Sequence, residues 1–538
     1  MTRQQRLEQL QEGRGFDLLV IGGGATGCGV ALDAASRGLK VALVEKNDFA
    51  EGTSSRSTKL LHGGVRYLEM AIKKLDRVQY NLVRDGLRER SILLNNAPHL
   101  SNRLPLVTPL YRWFEVPYVF AGLKLYDLLS GKRNIGHSRL LTRKDALRRF
   151  PTLKAAGLKA GVLYYDGQFH DARLALALAL TAQQHGAAII NHVAVSGLLK
   201  KGGKLAGAQL TDALSGASWP LHARGVINAT GPFADRIRAM DNAAAPGILS
   251  ISTGIHIVLD KRFAPPDTGL LIPETDDGRV LFVLPWQNHA LIGTTDEAAE
   301  LSEHPRPRQT EIDYLLRHVS RYFNLQVDRA DIKAVWSGLR PLVLDPAAAD
   351  TARLARDHVL ETSPDGLLTI AGGKWTTYRK MAEDTVDHAI RQFRLKAPNP
   401  TCRTGQLPIF GGAGYDEKGD LKLCERYGLA ADVALHLNRS YGDRAGEVAE
   451  LAEQGYGARL AANHPQLEAE VLYAVRHELA ERVIDVLARR MPLALLDNRA
   501  AAQAAPRVLE LMAAELGWDR GRREAERRLT GQRLTEAL

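Results

Sequence analysis

Three glycines with dinucleotide-binding spacing lie near the start of the chain. Gly22, Gly24 and Gly27 form G-x-G-x-x-G directly after the apolar run 16–21, and a helical pattern of small residues follows. Glycines allow the tight turn that brings backbone N–H groups to a pyrophosphate, whose charge the next helix N-terminus favours. Glu45 ends the next apolar run, where a carboxylate can accept hydrogen bonds from a ribose hydroxyl. The stretch predicts a site for an ADP-containing dinucleotide, without separating FAD from NAD.

A hydroxyl-rich loop follows this stretch. Its small and polar residues are Thr53, Ser54, Ser55, Ser57 and Lys59, and the paired glycines Gly63 and Gly64 come shortly after. Such residues suit close approach to a cofactor. A solvated serine-rich loop is the plainer alternative.

The composition is that of an ordinary globular protein with a basic excess. The 538 residues, 45% hydrophobic and 25% charged, allow several domains and a large core. A net charge of +10 permits an anionic substrate, an acidic lipid surface or nucleic acid as partner. Three cysteines without a C-x-x-C pair argue against a disulfide framework or a structural zinc site, and no metal is predicted. The polar start and the absence of a long apolar run predict a cytoplasmic protein, or one held on the inner face of a membrane.

Periodic patterns beyond the first stretch indicate further domains. The helical pattern 171–185 and the strand signals 205–211 and 226–231 predict that a nucleotide-binding domain resumes after an insertion. Strand signals between 249 and 295 alternate as antiparallel strands do. From about 421 onwards apolar residues recur at helical spacing, which predicts a separate helical domain.

The most aromatic stretch, 111–129, has two interpretations. It reads YRWFEVPYVFAGLKLYDLL, with Arg112 and Lys124 inside it and Lys132 and Arg133 just after it. An amphipathic segment with a basic margin can lie in a membrane interface. A helix buried against the sheet is the alternative, and both stay open here.

Six blocks spread over the chain are specific enough to indicate a family. They are IGGGATGCGVALDAASRGLKVALVEK, TSSRSTKLLHGGVRYLE, NATGP at 228–232, IGTTD at 292–296, SGLRPL at 337–342 and GGKWTTYRKMAE at 372–383. On these blocks the chain resembles the FAD-dependent glycerol-3-phosphate dehydrogenases of the glycine oxidase-like flavoprotein superfamily. One departure is Arg56, where the family often has a small residue. It adds a cation near the pyrophosphate or turns outward.

The resemblance implies an α/β fold of three parts. A Rossmann-like FAD-binding domain would comprise residues 14–100, 155–245 and 335–395. An antiparallel β substrate domain, facing the membrane, would comprise 101–154 and 246–334. An α-helical C-terminal domain would comprise 400–538.

The resemblance also implies FAD as the cofactor, held non-covalently because no attachment position of the family can be named. The residues expected to bind it are Gly22, Gly24, Gly27, Glu45, Thr53, Ser54, Ser55, Ser57, Lys59, His62, Gly63, Gly64, Val193, Gly231, Gly373, Lys374 and Thr376.

The family oxidises sn-glycerol 3-phosphate to dihydroxyacetone phosphate by hydride transfer from C2 to the flavin. A phosphate dianion needs cations and donors. The resemblance assigns this role to Arg66, Tyr67, Arg340, Lys374 and Thr377. Oxidation of an alcohol also needs a base for the hydroxyl proton; His62 and His256 are the candidates, and Arg340 would stabilise the developing oxyanion. A surface ion pair or a packed histidine is the alternative for each residue.

Electrons are expected to pass to a membrane quinone at the inner face of the cytoplasmic membrane, and a homodimer is allowed. Two other reactions stay open. A glycerol-3-phosphate oxidase reduces oxygen to hydrogen peroxide, and a glycine oxidase-like amine oxidase also binds a substrate carboxylate through arginine. Nucleic acid is not expected as a partner, because the basic residues in 519–528 alternate with acids.

Overall fold

A computed structural model of the chain describes residues 1–12, 15–64, 77–273, 275–276, 278–344 and 358–536. The strands of this part are, in chain order, β1 Phe16–Ile21, β2 Val41–Val44, β3 Leu60–Leu61, β4 Ser101–Leu110, β5 Arg139–Thr142, β6 Ala160–Phe169, β7 Ala188–Ile190, β8 Val193–Lys201, β9 Lys204–Asp212, β10 Ser218–Asn228, β11 Leu249–Asp260, β12 Gly269–Ile272, β13 Leu281–Trp286, β14 His289–Gly293, β15 Glu297–Ala298, β16 Ile332–Val343, β17 His358–Thr362 and β18 Leu367–Gly372.

The α-helices follow the same order. They are α1 Arg3–Glu12, α2 Ala25–Ser36, α3 Arg77–Asn96, α4 Glu115–Ser130, α5 Arg143–Arg149, α6 Asp171–Gln184, α7 Ala234–Asp241, α8 Gln309–Tyr322, α9 Tyr378–Gln392, α10 Gly419–Tyr427, α11 Ala431–Tyr441, α12 Ala445–Leu451, α13 Glu468–His477, α14 Val483–Asp485, α15 Leu493–Leu496, α16 Asn498–Glu515 and α17 Arg520–Thr535.

The first sheet is parallel at its centre, in the order β17-β18-β10-β1-β2-β7 with β17 antiparallel at one edge. Strands β1 and β2 are almost wholly buried, as the near-continuous apolar runs of a parallel sheet covered on both faces require. Helices α2, α6 and α9 cover one face. The antiparallel strands β8 and β9 cover the other. The Rossmann-like prediction is confirmed.

The second sheet is almost wholly antiparallel. Its order is β15-β11-β14-β13-β12-β4-β6-β3, with β16 paired to β11 and β5 paired to β6. Among the strand pairs described in this second sheet, only β12 and β4 run parallel. The two faces contribute to separate apolar clusters. The predicted antiparallel domain is therefore present.

Two predicted segment boundaries differ from the observed strand pairing. The expected FAD-binding segments 155–245 and 335–395 include β6 and most of β16, yet β6 pairs with β4 and β16 pairs with β11 in the second sheet. An apolar strand run shows that a strand forms but not which sheet it joins, because its pairing partner lies far along the chain.

The predicted helical C-terminal domain is confirmed, and buried ion pairs join it to the loop after β2 and to α6. Arg489 lies 2.5 Å from the Asp48 carboxylate, which Arg490 also contacts. Arg173 of α6 lies 2.6 Å from Glu478. Charges removed from water need such partners, so these pairs define how the two parts fit together.

Helix α4 shows features of both interpretations of the aromatic stretch. Leu123 is buried in an apolar cluster with residues of the second sheet, and Tyr126 is buried against Val83 and Leu87 of α3. Trp113, Phe114 and Leu128 are 67%, 70% and 74% exposed. None of the helices in the described part of the chain is long and apolar enough to cross a bilayer.

Candidate active site

The turn between β1 and α2 forms a backbone cradle. Gly27 leaves no room for a side chain, because a Cβ there would lie 1.8 Å from the Gly22 carbonyl oxygen. The Ala25 N–H donates to Ser54 Oγ at 2.9 Å, which ties the first turn of α2 to the hydroxyl-rich loop. Helix and strand therefore pack closely enough to present backbone N–H groups and the positive helix end to an anion.

Glu45 lies just beyond β2, and its carboxylate is held by the backbone. Oε2 accepts from the Gly23 N–H at 2.6 Å and Oε1 accepts from the Asn47 N–H at 2.9 Å. Burial raises the pKa of this carboxyl group. The side chain has a set position in the cavity wall, where a ribose hydroxyl can reach it.

A cavity of about 580 Å³ extends from the cradle to the second sheet. The predicted site residues that line it are Gly22, Gly24, Glu45, Thr53, Ser54, Ser57, His62, Val193, Gly231, His256, Arg340, Gly373, Lys374 and Thr376. Six others are described but do not line it, namely Gly27, Ser55, Lys59, Gly63, Gly64 and Thr377. Arg66 and Tyr67 lie outside the described residues.

Lys59 is buried behind the cavity and does not line it, unlike most of the residues expected to bind the cofactor. Its Nζ donates to the Ser55 carbonyl at 2.5 Å and to the Asp171 carboxylate at 2.7 Å. It also lies 5.1 and 4.8 Å from the ring centroids of Trp286 and Trp336. Burial lowers its pKa. The ammonium fastens the loop to the start of α6, so Lys59 positions the cavity wall without forming it.

Gly63 also supports the cavity wall without lining it. Its N–H donates to Asp166 Oδ1 at 3.3 Å, and that carboxylate accepts from Arg90 at 2.6 Å and from the Tyr126 hydroxyl at 2.9 Å. This buried group anchors the loop that presents His62 to the cavity, and Tyr126 joins it to α4.

Arg56 turns inward and lines the cavity. The residue is 6% exposed, and its Nη1 donates to the Ser337 carbonyl at 3.4 Å. Burial, with Arg533 nearby, lowers its pKa to about 10. The Arg56 side chain therefore does not turn outward to solvent. It adds a positive charge to the cavity wall.

The segment after Gly231 forms part of the wall that sequence reasoning missed. A 3-10 turn and α7 place Phe233, Ile237 and Met240 there. Their i, i+4, i+7 spacing after a glycine turn is the signal that could have found them. Trp375 was also missed; its Nε1 donates to the Ser54 carbonyl at 2.9 Å.

Arg340 reaches the cavity from β16 across β11. Nη1 donates to Asp296 Oδ1 at 3.0 Å, and Nη2 donates to Thr294 Oγ1 and the Thr295 carbonyl, each at 2.9 Å. Gly254 provides the space, since a Cβ there would lie 2.1 Å from Arg340 Nη2. The guanidinium group is therefore fixed before any ligand arrives.

His256 on β11 is buried yet reaches the same cavity. Its ring stacks on Trp336 at 4.3 Å, and Nε2 lies 3.0 Å from Thr58 Oγ1. Nδ1 is buried without a hydrogen-bond partner among the described residues. Burial, reinforced by the charges of Lys59 and Arg340, holds the pKa of His256 well below its usual value. The imidazole is neutral at pH 7.

Lys374 also lines the cavity. It precedes the 3-10 turn Trp375–Thr377, and Thr377 Oγ1 donates to its carbonyl at 3.2 Å. Thr377 therefore supports the turn. Arg340 and Lys374 together with His62 and His256 can bind a small anion and accept a proton from it.

Two family models match the chain. The model "FAD dependent oxidoreductase" matches residues 17–379, and the model "C-terminal domain of alpha-glycerophosphate oxidase" matches residues 402–523.

Curated relatives are similar over nearly the whole chain. The mitochondrial glycerol-3-phosphate dehydrogenase of Mesocricetus auratus is 48% identical, covering 98% of this chain and 74% of that protein. The Homo sapiens protein of that name is 48% identical, with 96% and 73% covered. The Arabidopsis thaliana one is 46% identical, with 95% and 84% covered.

Solved structures share the fold. The glycerol-3-phosphate dehydrogenase from Bacillus halodurans, complexed with FAD, matches with a TM-score of 0.81 at 29% identity, covering 99% of this chain and 97% of that one. The L-alpha-glycerophosphate oxidase from Mycoplasma pneumoniae with FAD bound matches with a TM-score of 0.54 at 16% identity, covering 73% and 98%. The second likeness concerns the fold alone.

Proposed function

The chain belongs to the FAD-dependent glycerol-3-phosphate dehydrogenases, and on this premise we propose that it oxidises sn-glycerol 3-phosphate to dihydroxyacetone phosphate. FAD is its cofactor. The observation that carries the proposal is a cavity in which a dinucleotide cradle continues into a wall that includes Arg340, Lys374, His62 and His256. Bound in this cavity, FAD would supply the acceptor for a hydride from C2 of the substrate.

The cavity residues fit FAD. The N–H groups of the β1–α2 turn suit a pyrophosphate, Glu45 suits a ribose, and Phe233 and Met240 offer an apolar wall for a ring. We propose that these contacts hold FAD without a covalent bond. Acid precipitation should then leave all the flavin in the supernatant, and flavin bound to the pellet would contradict it.

The cations have separate tasks in this proposal. Lys374, with Arg66 and Tyr67 from outside the described residues, binds the phosphate dianion. Nη1 and Nη2 of Arg340 each donate twice within the protein, so Arg340 acts through its fixed charge on the C2 oxygen. An oxyanion developing there gains most from a charge that does not have to move.

We assign the base that takes the hydroxyl proton to His62. It lines the cavity from an anchored loop. His256 is engaged with Thr58 and stacked on Trp336, and its low pKa makes it a weak base. In this assignment His256 keeps a neutral ring beside the substrate.

The electrons are proposed to pass to a membrane quinone. Trp113, Phe114 and Leu128 form an exposed apolar surface around α4, and Arg112 and Lys124 lie at its margin. Aromatic and basic side chains in this arrangement suit the headgroup region of a bilayer. The protein would then associate peripherally with the inner face of the cytoplasmic membrane.

Reduction of oxygen is the second candidate for the oxidative half-reaction. It is favoured by the match of residues 402–523 to the C-terminal domain of alpha-glycerophosphate oxidase. An amine oxidase reaction is less well supported. An amino acid substrate has no phosphate for Lys374 to bind and develops no oxyanion for Arg340 to stabilise.

The decisive experiment is anaerobic and uses the purified flavin-loaded protein. Addition of sn-glycerol 3-phosphate should bleach the flavin absorbance, and a soluble quinone analogue should restore it rapidly. Rapid recovery with oxygen and release of peroxide would make the protein an oxidase. Failure of the substrate to bleach a flavin that dithionite reduces would overturn the substrate assignment.

Matched controls separate phosphate recognition from general reduction. Glycerol, which lacks the phosphate, should not bleach the flavin at the same concentration. Lys374→Met should raise KM for glycerol 3-phosphate, whereas Arg262→Met, in the exposed turn after β11, should leave it unchanged. Equal KM values for all three proteins would remove Lys374 from the phosphate site.

A further inference from the structure

His289, His464 and Asp497 meet at the junction of the second sheet and the helical domain. His289 opens β14, His464 lies before α13, and Asp497 is the N-cap of α16. One ligand atom from each lies within 4.8 Å of the other two. His464 Nε2 is 3.9 Å from Asp497 Oδ2, and the two imidazole rings are stacked with centroids 5.7 Å apart.

Hydrogen bonds orient two of these side chains as metal ligands are oriented. The Gln287 carbonyl lies 2.9 Å from His289 Nδ1, so Nδ1 carries the proton and Nε2 has a free lone pair. Asp497 Oδ1 caps the Ala500 N–H at 3.0 Å, which leaves Oδ2 toward His464. Histidine ligands usually donate their other N–H to a carbonyl in this way.

We propose that His289, His464 and Asp497 bind one divalent transition-metal ion of the zinc type. Two imidazoles and one carboxylate match the ligand preference of zinc rather than that of magnesium or calcium. Ligand atoms around zinc lie roughly 3.4 Å apart for bonds of about 2.1 Å. From the observed spacing of up to 4.8 Å, the ligand atoms would have to move closer together when the ion binds. Water would complete the coordination, because His289 and Asp497 are only half-buried.

Two charged side chains next to the proposed metal site, Lys333 and Asp260, are compatible with a bound cation. Lys333 Nζ lies 3.7 Å from Asp497 Oδ2, but its side chain is 41% exposed and can turn to solvent. Asp260 pairs with His289 across β11 and β14 and adds negative charge. By contrast, the buried group of Asp48, His192 and Asp485 already holds two arginines and has no room for a cation.

The ion would join the β13–β14 hairpin to the helical domain. Its ligands come from both parts, so binding would stabilise the docked arrangement and leave the cavity residues untouched. This inference does not depend on the proposed reaction, because its readouts are metal content and thermal stability.

The test uses flavin-loaded protein stripped of metal with a chelator and titrated with zinc chloride. Calorimetry should show one equivalent bound, and scanning calorimetry should show a higher Tm. His464→Gln should lose the bound equivalent and the rise in Tm. His222→Gln, which alters an exposed histidine on β10, should keep both.

A second variant protects the test against misfolding. Asp497→Asn retains the cap on Ala500 but offers a weaker ligand, so it should fold normally and bind zinc less tightly. Absence of stoichiometric zinc in the wild-type protein would overturn the proposal. Equal binding by wild type, His464→Gln and Asp497→Asn would show zinc held at other surface groups and would also overturn it.

Discussion

At Gly254 the lack of a side chain decides where Arg340 lies. The glycine on β11 faces Gly338 on β16, and the guanidinium group crosses β11 where a Cβ would be. One methyl group at this position would therefore displace the Arg340 guanidinium group in the cavity wall, although Gly254 itself carries no reactive group.

Gly254→Ala should lower kcat/KM for glycerol 3-phosphate by roughly 10- to 100-fold, because it displaces a preset charge. Steady-state kinetics with a quinone analogue measure this, and flavin absorbance per protein checks that FAD is retained. Gly197→Ala on β8 is the control, since its nearest atom would be 3.9 Å away. Unchanged kinetics in Gly254→Ala would show that Arg340 can act from other positions.

His62→Gln should slow flavin reduction by about 10²- to 10⁴-fold, the usual contribution of a general base. The rate constant comes from anaerobic stopped-flow mixing with substrate. His256→Gln should slow it much less, because its low pKa makes His256 a poor proton acceptor. If His256→Gln is the slower variant, the base is His256.

At the scale of the element, α4 connects the molecular surface to the active site. The exposed Trp113 and Phe114 directly precede this helix, and Leu128 is exposed near its end. Its buried side places Tyr126 against the Asp166 carboxylate that anchors Gly63. The same helix thus meets solvent on one side and the loop of His62 on the other.

The double substitution Trp113→Ser and Phe114→Ser should weaken binding to anionic vesicles by at least tenfold. Loss of one buried large apolar side chain costs about 1.5–3 kcal/mol, and 1.4 kcal/mol is tenfold in affinity. Co-sedimentation measures binding, while flavin reduction by substrate in solution should not change.

Leu421→Ser is the matched control, because Leu421 is 62% exposed on the helical domain. Equal vesicle binding by the double variant and wild type would remove the α4 surface from the membrane contact.

At the scale of the whole molecule, charged residues join the helical domain to the FAD-binding part. His192 Nε2 lies 2.9 Å from Asp485 Oδ2, and Asp485 also pairs with Arg489, which contacts Asp48. Burial opposes charge on His192, but the Asp485 carboxylate outweighs it and raises the pKa of His192. His192 therefore stays charged to a higher pH in the folded protein than in the unfolded chain.

This shift predicts a pH-dependent difference in stability between wild type and His192→Gln. Because the pKa of His192 is raised by folding, its charge stabilises the fold to the full extent when the pH is below its pKa in the unfolded chain, about 6.5. This stabilisation is lost as the pH rises through the pKa of His192 in the folded protein. The free energy of unfolding in urea should favour wild type most near pH 6 and less at pH 9. His222→Gln should follow wild type throughout, and a difference for His192→Gln that grows with pH would contradict the predicted coupling.

The sequence alone determined the features that depend on short stretches of chain. The glycine spacing predicted the β1–α2 cradle, because the backbone sterics of a tight turn are local. Periodicity predicted parallel, antiparallel and helical parts, because side-chain direction repeats within each element. Most predicted cofactor residues line the cavity for the same reason: they sit in loops at the ends of those elements.

Only the tertiary structure decided which distant residues meet. Strands β6 and β16 join the second sheet, Lys59 pairs with Asp171, and His289 meets His464 across a domain junction. A strand run or a lone lysine or histidine carries no signal of its partner. Partners depend on burial and charge balance, which exist only once residues far apart in the chain are packed together.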